Sequence, residues 1–261
     1  AADAGDMQAV QRFAKVMTKI GLGDLGLSRF TDFIAIRVET DTRSQVQGLK
    51  SVIAMGAKGS NVALFAQCLT KVLEIVAKAV DEAECLIAQK SKELNGSNGP
   101  TNGSINGSTN GSKGSASAAG LTQVMTALYS KAAPQIAEVL KLLYDRHNIS
   151  NLARKYRDEA RLENRVALEL DEKLDEVSLC LQRLEQFNWY LTGRLHSAAN
   201  AAAAAAAEIA AAAGETALPL GAAQEREREV LQCLDVARQL PRVEAVEISK
   251  AELISGYIPL E

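Results

Sequence analysis

The stretch NVALFAQCLTKVLEIVAKAVDEAECLI, residues 61–87, decides the fold. Its apolar residues fall at Val62, Phe65, Leu69, Val72-Leu73, Val76, Val80, Ala83 and Ile87. Steps of three and four put them on one face of a helix and hold a heptad-like spacing along the whole stretch. Ser60 or Asn61 can cap its start, since either side chain accepts a hydrogen bond from the first free amides. A helix this long with a single apolar stripe needs other long helices to cover it.

The same period recurs on both sides. Upstream, Val10, Phe13, Met17 and Ile20 mark one face of a helix that stops at Gly21. A second, shorter helix is predicted from Ser28 to about Val38, through Phe30, Phe33 and Ile34, and residues 39–60 are polar enough to read as loop or short helix. Downstream, Leu121, Val124-Met125, Leu128, Ile136, Val139-Leu140 and Leu143 restart the period, with Pro134 expected to kink or break it. Leu170, Leu174, Val177, Leu181, Leu184, Leu191 and Leu195 predict one long amphipathic helix, preceded by a charge-rich run from Ile149 to Val166. Two further helices are predicted, from Glu225 to Leu240 and from the capping pattern Ser249…Glu252 onward. The alternating run 243–248 is too short to make a sheet alone. The expected fold class is all-α, an elongated antiparallel helical bundle or rod.

Two biased tracts divide the chain. Residues 95–120 hold NGS four times and read as a flexible insert. Residues 197–223 are dominated by alanine, which favours helix but offers no selective face to bury, so helical and ragged readings both stand. The expected organisation is a first helical segment over 1–94, the insert 95–120, a long-helix segment over 121–196, the alanine-rich insert 197–223 and C-terminal helices over 224–261. No stretch reads as a membrane span.

Of 261 residues, 47% are apolar but 43 are alanine, and only 4% are aromatic. The net charge of −3 argues against a general attraction to nucleic acid. Cys68, Cys85, Cys180 and Cys233 form no close pair, so the expected state is reduced, packed thiols. The start lacks both Met and a secretory leader, which suggests a fragment of an intracellular protein.

Motifs with chemical content are few. Gly21-x-Gly23-x-x-Gly26 matches the dinucleotide fingerprint, yet it follows a helical period instead of a strand, so a helix stop and interhelical turn is the better reading. Gly56-Ala57-Lys58-Gly59-Ser60 has phosphate-loop residues in the wrong order. His147 and His196 stand alone, each expected at a helix C-terminus. Asp171, Glu172, Asp175 and Glu176 are expected on solvated helix faces. No catalytic residue, cofactor or metal ligand is assigned. Phe187, Trp189 and Tyr190 form the one aromatic cluster; packing against a neighbouring helix and an interface role both remain open.

Several segments, in order, resemble the subunit 4 family of the conserved oligomeric Golgi (COG) complex. They are Gly5-Asp6-x-x-x-Val10-x-Arg12-Phe13-x-Lys15, Gly21-Leu22-x-x-x-Gly26-Leu27-x-Arg29-Phe30, Val62-Ala63-x-Phe65-Ala66-x-x-Leu69-Thr70, Leu170-Asp171-x-x-Leu174-x-Glu176-Val177 and Glu252-Leu253-Ile254-x-Gly256-Tyr257. The resemblance implies an interior piece of a helical-rod tethering subunit, with no enzymatic activity. It further implies retrograde intra-Golgi transport on the cytosolic face of Golgi membranes. The implied partners are other COG subunits and, through the full subunit, SNAREs, a Sec1/Munc18-type protein and Rab GTPases. Alternatives are an exocyst-like tethering subunit, a nucleotide-dependent enzyme built on the glycine turn, and a peripheral membrane binder.

Overall fold

The computed structural model describes residues 7–20, 22–55, 63–96, 115–148 and 164–212, with isolated positions at 248, 251 and 254. Among the described residues there are five helices and no strand: α1 (Met7–Lys19), α2 (Gly23–Ala54), α3 (Leu64–Gly96), α4 (Ser115–His147) and α5 (Asn164–Ala212). The fold class is all-α.

The chain divides into two compact units, each assembled from pieces of several helices. The first takes in Ala1–Arg37, Lys78–Leu128 and Tyr190–Pro241. There α1 and the start of α2 form a close pair. A Cβ on Gly26 would stand 2.9 Å from Met17 Cβ and 3.2 Å from the Ala14 carbonyl oxygen, so the absence of a side chain lets the helices approach. The turn between them is closed by the Leu22 amide donating to the Met17 carbonyl over 2.8 Å, a six-to-one bond of the kind that stops a helix. Phe30, Ile34, Ile87, Leu121, Leu128 and Leu191 are among the side chains buried in this unit.

The second unit takes in Val38–Ala77, Tyr129–Trp189 and Arg242–Glu261. Its ion pairs fix helix direction. Lys131 pairs with Glu39 (2.9 Å) and Lys50 with Glu138, so α2 and α4 run the same way here. Tyr129 stacks on Phe187 while His147 meets Glu176, so α4 and α5 run oppositely. Lys131 holds the Glu39 carboxyl below the usual range, with the surface pair to Arg43 adding to it. Leu69, Val72, Val76, Ile136, Leu140 and Leu143 are sealed from solvent.

Several expectations meet corrections. α2 does not end near Val38; it runs on to Ala54 because Val38, Thr42, Val46 and Leu49 continue its buried stripe. Thr42 tolerates burial by donating its hydroxyl to the Val38 carbonyl at 2.6 Å. α4 is unbroken across Pro134, which sits on the exposed side. Gly26 lies within α2 and against α1, not in the interhelical turn. His196 is an exposed residue inside α5 and not at a helix end, since α5 extends through the alanine run to Ala212. Helix also reaches into both ends of the Asn/Gly/Ser tract, to Gly96 and from Ser115. Of the first predicted face, Phe13 and Ile20 point into solvent, and Ala14 is the buried residue. The phosphate-loop-like residues 56–60, most of the charge-rich run from Ile149 to Val166, the predicted helix from Glu225 to Leu240 and all but isolated positions of the last predicted helix lie outside the described residues.

Gly48 has open space where a Cβ would go. Gly48→Ala is therefore expected to stabilise α2 by about 1 kcal/mol through helix propensity alone. Gly26→Ala gains the same propensity but must push against Met17 and the Ala14 backbone, so its melting temperature by circular dichroism falls below that of Gly48→Ala and of the wild type.

Candidate functional site

The two features richest in specific contacts each tie one part of α3 to one part of α5. In the second unit, α3 opens at Ala63, whose carbonyl accepts the first helical bond from Gln67 at 2.9 Å. Alanine has no side-chain acceptor for the exposed amides of the first turn. Its φ of 79° is also left-handed, a conformation that costs a non-glycine residue free energy. The missing cap comes from another helix: Glu176 of α5 accepts the Phe65 amide at 2.8 Å. The other Glu176 oxygen lies 2.9 Å from His147 Nε2, at the last residue of α4. The His147 ring then meets Phe65 edge-on, with centroids 5.7 Å apart. One carboxylate thus joins three helices.

Glu176 is 6% exposed. This corrects the expectation of a solvated acid; its neighbours Asp171, Glu172 and Asp175 are not buried. Nearby, Cys68 and Cys180 are buried, and burial pushes their thiols up to about 11 and about 12, away from the thiolate that would react. Cys85 departs from the packed-thiol expectation by being exposed, and Cys233 lies outside the described residues.

In the first unit, Arg194 of α5 donates to Asp81 (2.6 Å) and to Glu84 (3.0 Å) of α3. Tyr190 donates its hydroxyl to the same Asp81 oxygen at 2.9 Å, and the Arg194 guanidinium sits 5.3 Å from the Tyr190 ring centroid. Burial, then the bond to Asp81, pushes the Tyr190 phenol up to about 12. The cluster fixes the register of the two helices there.

The three aromatic residues singled out from the sequence are not brought together. Phe187 is core, stacked on Tyr129 at 6.2 Å; Tyr190 is half-buried and tied to Asp81; Trp189 is 74% exposed. Beside Trp189, an open depression on α5 is lined by Gln182, Glu185 and Gln186. Another shallow depression in the second unit runs from Ala63 and Gln67 to Arg183. Neither gathers an acid–base pair with a nucleophile. Among the described residues no group of three or more His, Cys, Asp or Glu side chains is placed to hold a metal ion, and no helix is long and apolar enough to cross a membrane. The Glu176 clasp is what sequence reading missed. The sequence pointed elsewhere: Ser60 and Asn61 offered caps, but the helix opens at Ala63, and both candidates lie outside the described residues.

Replacing Glu176 by Ala strands the buried Phe65 amide, an expected loss of about 1–3 kcal/mol in urea unfolding, and the His147→Ala variant in a double-mutant cycle with it is expected to show coupling of the same order. Phe187→Ala should cost about 3–5 kcal/mol by emptying a core position, whereas Trp189→Ala stays within about 0.5 kcal/mol of wild type. The single Trp is expected to emit as a solvated indole that iodide quenches in the folded protein.

Residues 12–95 match the family model described as COG4 transport protein, middle alpha-helical bundle. Comparison with curated proteins and with solved structures gave no match. The matched stretch takes in much of α1, the whole of α2 and nearly all of α3. The COG4 family is one of Golgi tethering-complex subunits and not an enzyme family. Over residues 12–95, about a third of the chain, the sequence is thus similar to the COG4 middle helical bundle, and the all-helical fold agrees with that likeness.

Proposed function

We propose that the chain is a structural segment of a Golgi vesicle-tethering subunit, working in retrograde intra-Golgi transport through protein–protein contacts. The family match over residues 12–95 carries this reading. Other COG subunits are its direct partners. SNAREs, a Sec1/Munc18-type protein and Rab GTPases are engaged through the full subunit, which sits peripherally on the cytosolic face of Golgi membranes. Its contribution is geometric and non-catalytic: paired helices keep binding regions elsewhere in the subunit at a fixed spacing. The long buried stripes and the cross-helix ties at Glu176 and Arg194 support such a role, because they resist sliding of one helix along another. Trp189, alone in solvent among the three aromatic candidates, is the residue of that set suited to anchor a partner.

A tagged full subunit containing this chain, purified from cells, is expected to bring down other COG subunits and to localise to the Golgi. Recovery of none of them would overturn the reading.

A further inference from the structure

α1 carries Arg12, Lys15 and Lys19 and no carboxylate in its 13 residues, within a chain whose net charge is −3. Its contact with α2 is made through Ala14 and Met17, the side that meets Gly26. Turned away from that contact are Phe13, Val16 and Ile20, between 54% and 62% exposed. Leu22 and Leu25, just past the helix end, are nearly half exposed as well. Five large apolar side chains in so short a span form the kind of exposed patch that marks an interaction surface.

The spacing identifies what fits there. Phe13, Val16 and Ile20 are separated by three and four residues, the a and d positions of a heptad. Arg12 and Lys19 then both fall at g, on the border of the seam, and both are exposed. Cations at g select a partner helix with carboxylates at its own flanking positions. A second copy of α1 does not supply them. Packed antiparallel it would set g against g, cation against cation; packed parallel it would set Arg12 against Met17, which is already turned toward α2. A bilayer fits poorly too. The exposed row spans roughly 60° of the helix at 100° per residue. All three cations lie on one of its borders, whereas a helix lying in a lipid interface buries a broad apolar face flanked by charge.

We infer that the outward face of α1 is a docking site for an acidic amphipathic helix of another subunit. The partner's apolar seam lies on Phe13, Val16 and Ile20, and its carboxylates meet Arg12 and Lys19. The inference rests on the tethering-subunit reading above and gives that reading a surface.

The test uses the whole chain and two labelled synthetic helical peptides of about three heptads, both with Leu and Ile at a and d. One carries Glu at e and g, the other Lys. By fluorescence anisotropy the Glu peptide is expected to bind at least about tenfold more tightly than the Lys peptide, with affinity falling as salt rises. The charge reversal Arg12→Glu/Lys19→Glu should invert that preference, the neutral pair Arg12→Gln/Lys19→Gln should erase it, and Ile20→Ser should weaken both peptides. All these positions are exposed, and unchanged helical circular dichroism verifies folding. Equal binding of the two peptides, a preference indifferent to the reversal, or capture by phosphatidylserine-containing vesicles without binding of the Glu peptide overturns the inference. In the full subunit, the reversal is compared with wild type for recovery of COG subunits, and loss of a subunit supports the docking face. If both recover the same set, the docking face is wrong and the tethering reading stands. If wild type recovers none, the tethering reading fails and the peptides alone judge the face.

Discussion

The core is built from aliphatic stripes, and that constraint shapes everything else. With 4% aromatic residues, burial has to come from many small increments, each Val, Leu or Ile contributing about 1.5–3 kcal/mol when fully withdrawn from water. α3 shows the outcome: Phe65, Leu69, Val72, Val76, Val80, Ala83 and Ile87 are all buried along one helix. A stripe of this kind stabilises only when its partners stay in register turn after turn. Specific polar ties join the helices at a helix start through Glu176 and on a solvent-facing edge through Arg194.

Helices with strong aliphatic period were legible from sequence. The seam from Phe65 to Ile87, the two halves of α4 and, in α5, Val177, Leu184, Leu191 and Leu195 are buried at the positions their spacing implies, while Leu181 in the same run is only half-buried. Where the reading fell short, the deciding residue was ambiguous by type. Thr42 looks polar, yet it satisfies its hydroxyl on its own helix and carries the stripe of α2 through a segment that seemed loop-like. Glu176 looks like one more surface acid in a charged run, and only the cap deficit at Ala63, on another helix, makes its burial sensible. Phe13 and Ile20 obey the helical period, but period says which residues share a face, not whether that face meets this chain or another.

The candidate site divides in the same way. The sequence drew attention to Phe187, Trp189 and Tyr190 because aromatics are rare here, and rarity carries no direction. Adjacent positions on a helix are turned about 100° from one another, so three aromatics in four residues cannot all face one way. Periodicity marks the residues that a helix buries; on the outer surfaces, where Trp189 lies, it is silent.

The exposure pattern has a practical side. Trp189 is the sole Trp and faces water within the second unit; Cys85 is the exposed thiol among the described cysteines and belongs to the first. Cys68 and Cys180 are shielded, with thiols pushed up to about 11 and about 12. Nature has thus left a fluorophore on one unit and an attachment point on the other. The pair can report their separation as a complex assembles, without first engineering either probe into the chain.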